Sequence, residues 1–335
     1  MKLFIKTIII FCIPVIILVG VYVWGDPFKV IHSYDIYLSD YIMLSRGYVS
    51  TKVFLKNNKD YHYNSFIFGS SRSTAFTCKE WQKYLATDCS AFSYGAWNES
   101  IEGILRKIQF IDSMGNIIKN AIIVIDTDMT FKKNNNSIDN DHYLISGKTF
   151  SQFHLKYFSE FISNFRLMRT CVDYKLFKTR RSYMKDFIGM NIGDLDPINN
   201  DWLPNNEDKI IKDSVEYYSK SINKFYKRSK TEMESGTQIN SDDSLKLQKI
   251  NLIFRKQKTH AIIIIGPLYD QVRFNKKDLQ ILQSVFGTEN IFDFSGINDI
   301  TENMYSFSSD AIHYRGRTGN RILKSIYKLP QSTMK

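Results

Sequence analysis

The feature that most constrains the fold is a continuous run of β-branched and other apolar residues, AIIVIDTDMTF, at positions 121–131. A run without alternation between apolar and polar residues is typical of a strand buried on both faces in a parallel sheet. A second run of this kind, HAIIIIGPLY, occupies residues 260–269. Three shorter runs also resemble strands: SFIFGSS at 65–71, CSAFSYGAWN at 89–98 and NIFDFSG at 290–296. The chain therefore contains five predicted strands.

Stretches with a helical spacing of apolar residues separate these strands. TCKEWQKYL follows the first strand, ESIEGILRKIQFIDSMG follows the second, and SLKLQKINLIFRKQ precedes the fourth. Strands that alternate with helices in this way predict a parallel sheet covered on both faces. We therefore expect an α/β fold built on an open parallel sheet, and we expect this domain to span residues 61–330.

Residues 132–240 interrupt the alternation. They begin with KKNNNSIDNDH, contain amphipathic stretches such as FSQFHLKYFSEFISNF, and end in the polar TEMESGTQINSDDS. We interpret this segment as a helical insertion between the third and fourth strands rather than as a second domain. Two uses of its many Tyr and Phe residues stay open: packing in a core, or forming a lid or sugar-stacking surface over the site.

The N-terminal region contains one uncharged apolar run, TIIIFCIPVIILVGVYVW, at residues 7–24. As a helix, this run is long enough to cross a bilayer core of about 30 Å. Lys2 and Lys6 precede it, and Tyr22 and Trp24 close it. Basic residues on the cytoplasmic side and aromatic residues at the far interface are the pattern of a membrane-spanning helix.

We therefore expect residues 1–25 to be a single-pass anchor in the inner membrane, with a cytoplasmic N-terminus and an extracytoplasmic, periplasmic remainder. Residues 26–60 are then a stalk that docks onto the domain. One alternative is a cleaved signal peptide, whose apolar region is usually shorter and ends at small residues. The other is a buried core helix, which the basic flank disfavours.

The formal net charge of +11 raises the question of a nucleic-acid partner. However, the lysines and arginines are scattered, without an arginine-rich stripe or a zinc-finger spacing. A solvated basic surface explains such a pattern. Because nucleic-acid binding also conflicts with export, we expect no nucleic-acid partner.

The chain has four cysteines, of which Cys12 lies in the apolar run. Cys78 and Cys89 bracket KEWQKYLATD, a stretch that a disulfide bond could close in an oxidising compartment. Spacing does not establish the geometry of such a bond, so this pairing stays open, and Cys171 would be unpaired. Because no CxxC or His/Cys cluster is present, we expect no metal site.

Polar side chains follow the predicted strands, where ligands bind in a parallel α/β sheet. They are Gly69-Ser70-Ser71-Arg72 after the first strand, Gly95 and Asn98 after the second, and Asp126-Thr127-Asp128 after the third. Asp310 and His313 follow near the C-terminus, in SSDAIHYRG. A serine hydroxyl becomes a nucleophile when an oriented base removes its proton. The spacing of Asp310 and His313 allows a carboxylate to orient the imidazole towards a serine such as Ser71.

The developing oxyanion of such a reaction needs backbone N–H donors, and glycine allows close backbone approach. The amides of Ser71 and Gly95 are the natural pair. A purely structural role is also open for each motif, because Ser71 or Ser73 can be the N-cap of a following helix. Asp-x-x-His can be a surface turn before the last helix. Arg72 can cap the helix, pair with Asp128 or hold an anionic substrate. The two aspartates after the third strand can bind a metal or simply end a strand.

The segments FGSSRS, SYGAWN and DAIHY resemble the serine, glycine and Asp-x-x-His blocks of the SGNH/GDSL hydrolases. They are most similar to membrane-anchored members in which Gly-Asp-Ser becomes Gly-Ser-Ser. The resemblance covers residues 64–131 and 259–325, and does not include the insertion or the stalk. It implies a flavodoxin-like open parallel sheet with helices on both faces.

By position, the resemblance assigns four roles: nucleophile to Ser71, oxyanion-hole glycine to Gly95, base to His313, and orienting acid to Asp310. The family's asparagine in a Gly-x-Asn-Asp block is replaced by Asp126-Thr127-Asp128. Either Asn98 or Thr127 substitutes for that asparagine, or the oxyanion hole has two donors. Arg72 and Asp128 are candidates for contact with substrate.

Relatives of this kind acylate cell-envelope polymers, as in D-alanylation of teichoic acid or acetylation of alginate. The resemblance therefore implies a serine esterase or O-acyltransferase that acts on acyl esters, acetyl esters first, of an envelope or secreted polysaccharide, without a cofactor. The implied partners are the acylated glycan, the inner membrane and a membrane-bound acyl donor protein. The alternative is a non-catalytic anchored domain that binds a glycan or an assembly partner.

Overall fold

The computed structural model describes residues 2–38, 42–133, 137–187, 194–203, 210 and 212–328. Side chains are described for all of these except residues 2, 3, 5–11, 137, 194, 203 and 328. Parts of the predicted anchor and insertion therefore lie outside the described residues.

Among the described residues, the central sheet has five strands, all parallel. Its strands are β1 (Ser65–Phe68), β2 (Ala91–Ser93), β3 (Asn120–Ile125), β7 (His260–Ile265) and β9 (Ile291–Asp293), in the order β2-β1-β3-β7-β9. Numbered within this sheet, the order is 2-1-3-4-5, which is that of flavodoxin-like folds. The predicted α/β class and open parallel sheet are confirmed, and the sheet is compatible with the predicted flavodoxin-like topology.

The two longest strands form the centre of the sheet. β3 and β7 pair in register over six residues, from Asn120 with His260 to Ile125 with Ile265. Every residue of these strands after the first is buried. Because helices cover both faces, neither face needs polar side chains, and both strands are apolar after their first residues, Asn120 and His260.

The helices surround this sheet and also form a separate group. They are α1 (Lys2–Gly25), α2 (Arg46–Tyr61), α3 (Cys78–Trp81), α4 (Ile101–Ser113), α5 (Tyr143–Ser146), α6 (Phe150–Ser163), α7 (Phe165–Phe177), α8 (Ser214–Ser219), α9 (Ser241–Gln257), α10 (Lys276–Phe286) and α11 (Gly316–Lys328). On one face, Ile322 and Leu323 of α11 and Trp81 of α3 join a core with Ile122 and Ile264.

The opposite face of the sheet carries an aromatic core. Phe54 of α2 packs edge-on against Phe66 of β1 and against Phe110 of α4, with ring centroids 6.0 and 6.4 Å apart. Phe54 also stacks on Tyr94, which follows β2, at 5.3 Å. Burial of large aromatic side chains contributes strongly to stability, so α2 and α4 fix the strands that carry the site.

Two further strand pairs lie outside the central sheet. β4 (Asp194–Leu195) pairs antiparallel with β5 (Trp202–Leu203), and β6 (Met233–Glu234) pairs parallel with β8 (Val272–Arg273). The turn between β4 and β5 lies against the end of β2, because Ser93 donates its N–H to the Asn199 carbonyl at 2.9 Å. This turn thereby covers part of the edge of the sheet.

The chain divides into two compact units, Met1–Leu44 with Gly147–Ile192, and Ser45–Ser146 with Gly193–Lys335. The sheet belongs to the second unit. In the first unit, Tyr22 of α1 packs against Phe158 and Phe161 of α6, with ring centroids 5.4 and 5.3 Å apart. The predicted boundaries at residues 25, 60, 132 and 240 stay predictions.

Within the part of the chain that the structure describes, no helix is both long and apolar enough to cross a bilayer. The predicted anchor therefore stays a prediction.

The four cysteines are all free thiols in the structure. Cys78 is fully buried and points its sulfur towards the Asn199 carbonyl at 3.8 Å, whereas Cys89 lies beside Asp88. The Cys78–Cys89 disulfide that the sequence left open is thus not formed here.

Candidate active site

The two serines in the turn after β1 have different roles. Gly69 has a φ of 148°, and a Cβ there would approach Val124 to 3.0 Å, so the turn favours glycine. Ser70 is the N-cap of the short 3₁₀ helix Ser71–Ala75, because its hydroxyl accepts the Arg72 N–H at 3.3 Å. It also donates to Asp126 Oδ2. Capping therefore falls to Ser70, not to Ser71 or Ser73.

Ser71 lies next to the predicted base, although the two residues are 242 positions apart in the chain. Its Oγ is 2.8 Å from His313 Nε2, and His313 Nδ1 is 2.6 Å from Asp310 Oδ2. The side chains of His313 and Asp310 are 38% and 39% exposed. The structure thus brings the three predicted catalytic residues into one hydrogen-bonded line that solvent reaches.

The loop before α11 holds Asp310 and His313 in place. Asp310 Oδ1 accepts the N–H groups of Ile312 and His313, both at 3.0 Å, which closes a tight turn around Ala311 with its φ of 58°. At the base of the loop, Ser308 donates its N–H to the His313 carbonyl at 2.7 Å. One carboxylate therefore shapes the turn with one oxygen and orients the imidazole with the other.

The same contacts determine the charge of Asp310. Burial by itself would raise the pKa of this carboxyl, but the hydrogen bonds from the side chain and backbone of His313 outweigh burial and lower the pKa to about 2. Asp310 is therefore a carboxylate at neutral pH, as an acceptor for the Nδ1–H of a neutral histidine must be.

Two of the predicted oxyanion-hole residues, Gly95 and Asn98, lie in the loop after β2. A Cβ on Gly95 would come within 2.8 Å of the Gly69 carbonyl and 2.9 Å of Ser73 Oγ, so this loop packs directly on the Ser71 turn. Among the described residues, neither the Ser71 N–H nor the Gly95 N–H has a hydrogen-bond acceptor. Asn98 lies in the same loop, exposed, with a φ of 54°. The serine turn and the β2 loop packed on it thus each present one backbone donor without a partner among the described residues.

The two aspartates after β3 contact the serine turn. Asp126 is buried and accepts the Ser70 hydroxyl, and Asp128 forms a two-point ion pair with Arg72. Of the three roles that the sequence left open for Arg72, the structure contains the pairing with Asp128. The direct contact with substrate predicted for Arg72 and Asp128 stays a prediction. Among the described residues, no group of three or more His, Cys, Asp or Glu side chains could hold a metal ion.

Sequence reasoning missed the residues that support the β2 loop from outside. Trp202 of β5 packs edge-on against Trp97, with ring centroids 5.4 Å apart. Arg46 of α2 is buried, donates to Ser93 Oγ at 3.1 Å and to the Asn200 carbonyl at 3.0 Å, and lies over the Trp97 ring. These residues are far apart in sequence and follow no common motif, so no sequence signal could have grouped them.

A buried ionic cluster lies behind the same loop. Lys107 of α4 is fully buried between Glu99 and Asp141, with its Nζ 3.4 Å from Asp141 Oδ2 and in direct contact with Glu99 Oε2. Glycines make room for it: a Cβ on Gly47 would lie 1.5 Å from Asp141 Oδ1, and one on Gly103 would lie 2.0 Å from Glu99 Oε1. The cluster thus connects the loop to α4 and α2.

Neither the models of known protein families nor the curated proteins match this chain. The resemblance to the SGNH hydrolases therefore stays a prediction that rests on the three sequence blocks.

Proposed function

We propose that the protein is a serine esterase or O-acyltransferase. Its substrates would be acyl esters, in particular acetyl esters, of an envelope or secreted polysaccharide. The observation that carries the proposal is the line of contacts from Ser71 Oγ through His313 to Asp310, with distances of 2.8 and 2.6 Å. Residues from opposite ends of the chain meet there at the carboxyl edge of a parallel sheet, where such folds bind ligands.

The geometry supports a two-step acyl transfer. His313 Nε2 removes the hydroxyl proton of Ser71 as its Oγ attacks the ester carbonyl. The other ring proton stays on Nδ1, hydrogen-bonded to the carboxylate of Asp310, which stabilises the imidazolium. The oxyanion of the tetrahedral intermediate accepts hydrogen bonds from the backbone N–H groups of Ser71 and Gly95. The C–O bond to the sugar then breaks, and His313 returns the proton to the departing sugar oxygen.

The acyl-enzyme is resolved by the reverse sequence. His313 deprotonates an incoming hydroxyl, its oxygen attacks the acyl carbonyl, and the bond to Ser71 Oγ breaks as the serine recovers its proton. Water as the acceptor gives an esterase, and a sugar hydroxyl gives an O-acyltransferase. In the second case a membrane-bound acyl donor protein takes the place of the sugar ester in the first step, so the bond to the donor breaks and His313 returns the proton to the donor's leaving group. No step requires a cofactor.

We also propose that the first unit attaches the protein to the inner membrane, with the sheet outside the cytoplasm. Support comes from the described side chains of α1, several of which are apolar and exposed: Ile13, Val15, Ile16, Ile17, Val19, Val23 and Trp24. A group of exposed apolar side chains on one helix is typical of an interaction with a membrane or another protein. A substrate assembled at the membrane surface suits this location.

A second candidate function is a non-catalytic domain that binds a glycan or an assembly partner. The observation in its favour is the pair of carboxylates after β3. Asp126 and Asp128 stand where the family that the chain resembles has an asparagine that binds the oxyanion. Both carboxylates are engaged by Ser70 or Arg72, and loss of one oxyanion donor commonly costs about 2.7–4 kcal/mol in activation free energy.

Fluorophosphonate labelling of the full chain in detergent tests the two functions against each other. We expect an adduct on Ser71, mapped by mass spectrometry, that is lost in Ser71→Ala and strongly slowed in His313→Ala. Ser284→Ala, which removes an exposed serine of α10, is the matched control and should label as the wild type does. A folded protein without an adduct on Ser71 would favour the binding function instead.

A further inference from the structure

The Arg72 side chain contacts three separate segments of the site. Its side chain is 4% exposed, and each of its three nitrogens faces a protein oxygen. Nε donates to the Ile312 carbonyl at 3.1 Å, Nη2 donates to Asp128 Oδ2 at 3.1 Å, and Nη1 contacts Asp128 Oδ1 and lies 3.5 Å from Asp126 Oδ1. The guanidinium therefore connects the serine turn, the end of β3 and the histidine loop.

We propose that Arg72 is a positioning residue that sets the His313 imidazole against Ser71 by holding the peptide group between Ile312 and His313. This inference rests on the proposed function, because it assigns the residue that aligns the base of that reaction. It gives Arg72 a role other than contact with substrate.

Arg72 and Asp310 hold the two ends of one planar peptide group. Its carbonyl, on Ile312, accepts the Arg72 Nε–H, and its N–H, on His313, is donated to Asp310 Oδ1 at 3.0 Å. A peptide group is rigid and planar, so contacts at both ends fix its orientation. That orientation in turn directs the Cα–Cβ bond of His313 and hence the plane of its ring.

The two aspartates keep the guanidinium charged and oriented. Burial by itself would lower the pKa of Arg72, but the charges of Asp126 and Asp128 and the hydrogen bond to Asp128 raise it above its ordinary value. A planar guanidinium can satisfy a carboxylate with two nitrogens while a third holds a carbonyl in a fixed direction. The point charge of a lysine ammonium cannot reproduce this arrangement.

Arg72 also follows Ser71 directly in the chain. The contact to Ile312 therefore links the nucleophile's own turn to the loop of the base, two segments that are otherwise separate in sequence. A misplacement of about 1 Å between reacting groups can lower a rate about 100-fold. Loss of the link should consequently affect the chemical step more than substrate binding.

The test compares Arg72→Lys with the wild type as the full chain in detergent. The readouts are the rate of fluorophosphonate labelling at Ser71 and the kcat and KM for hydrolysis of 4-nitrophenyl acetate. We expect labelling and kcat to fall about 10- to 100-fold with KM nearly unchanged. Arg321→Lys, an exposed arginine paired with Asp299, is the matched control and should leave all values unchanged.

Two results would overturn the inference. One is a folded Arg72→Lys protein with wild-type kcat, and the other is a raised KM with unchanged kcat, which would assign Arg72 to substrate binding. If the wild type itself does not label, the proposed function fails, but histidine-selective ¹⁵N labelling still tests the positioning role. Arg72→Lys should then shift the ring signals of His313 and leave those of His260 in place, and unshifted His313 signals would refute it.

Discussion

Asp310 combines two roles in one side chain. Its Oδ1 closes the turn through the backbone of Ile312 and His313, and its Oδ2 accepts from the imidazole. Asp310→Asn keeps the shape but replaces a carboxylate with an amide that can stabilise the wrong tautomer. We expect this variant to label with fluorophosphonate roughly 10³- to 10⁴-fold more slowly than the wild type at pH 7. Asp299→Asn, at an exposed carboxylate, is the control, and equal rates for both variants would contradict the assignment.

Gly95 allows a second test at the level of single residues. Because a Cβ there would lie 2.8 Å from the Gly69 carbonyl, Gly95→Ala must displace one of the two backbone segments that present the oxyanion donors. The loss of one donor typically lowers kcat about 10²- to 10³-fold. We expect a decrease of that order in 4-nitrophenyl acetate hydrolysis. Gly236→Ala, which has open space around the new methyl group, should retain full activity.

How much of the site the sequence revealed depends on the type of group. Ser71, His313 and Asp310 were predicted together because each side chain has distinctive chemistry and follows a strand or precedes a helix. The capping role of Ser70 was missed, because which of two adjacent serines faces the ligand depends on the conformation of the turn. The Ile312 carbonyl was also missed, because every residue has a carbonyl and none is visible as a motif.

Among the structural elements, α4 depends on the buried cluster around Lys107. Removing one partner of a buried ion pair leaves an uncompensated charge and typically costs about 3–5 kcal/mol in the free energy of unfolding. We expect Lys107→Met to destabilise the protein by about this amount in urea titrations, because Glu99 and Asp141 lose the cation that they share. Lys256→Met, at an exposed lysine, is the control. A loss below about 1 kcal/mol would contradict the prediction, since it lies well under the range for a broken buried pair.

The same cluster predicts how stability changes with pH. Burial raises the pKa of the Glu99 carboxyl to about 7, against an ordinary value of 4.5, although Lys107 opposes the shift. Between these values the folded protein holds a proton that the unfolded chain has released, so this group's contribution to stability falls as pH rises from about 4.5 to 7. We expect Glu99→Gln to flatten this part of the melting-temperature profile. Glu302→Gln, at an exposed position, should leave it unchanged.

The elements of the central sheet could be predicted because their signals are local. After their first residues, the strands at 120–125 and 260–265 are continuous apolar runs, and each of the five predicted runs overlaps an observed strand. The spatial order of the strands is set by long-range packing that no local pattern encodes, and the sequence suggested it through the family resemblance alone. β4 and β5 were missed because strands of two residues carry no measurable periodicity.

At the scale of the whole molecule, α7 offers a surface suited to a bilayer. Leu167, Thr170 and Cys171 form its buried face. On the opposite face, the apolar side chains of Phe165 and Leu176 are exposed at its two ends, with the exposed Arg169 and the half-buried Val172 between them. Basic residues follow the helix directly: Lys178, Arg180 and Arg181. Apolar and basic residues together are the pattern of an interfacial helix on an anionic membrane.

The position of α7 against α1 supports this interpretation. Lys175 contacts the Trp24 carbonyl, and a Cβ on Gly25 would lie 2.6 Å from Cys171 Sγ. Two α7 residues one turn apart thus both meet the last residues of α1. If α1 enters the bilayer, its end lies at the interface, and α7 lies there with it.

Photo-crosslinking of the full chain in vesicles tests this arrangement. Benzoylphenylalanine in place of Phe177, beside the basic residues, should form phospholipid adducts, more in vesicles with phosphatidylglycerol than in phosphatidylcholine alone. The control is Phe150, which begins α6 and is as exposed as Phe177, at 60% against 61%. Position 150 should react little, because Tyr157 already packs against Phe28, beyond the end of α1, and residue 150 lies two turns further along α6. Equal adducts at both positions would contradict an interfacial α7, whereas none at either would argue against membrane attachment by this unit.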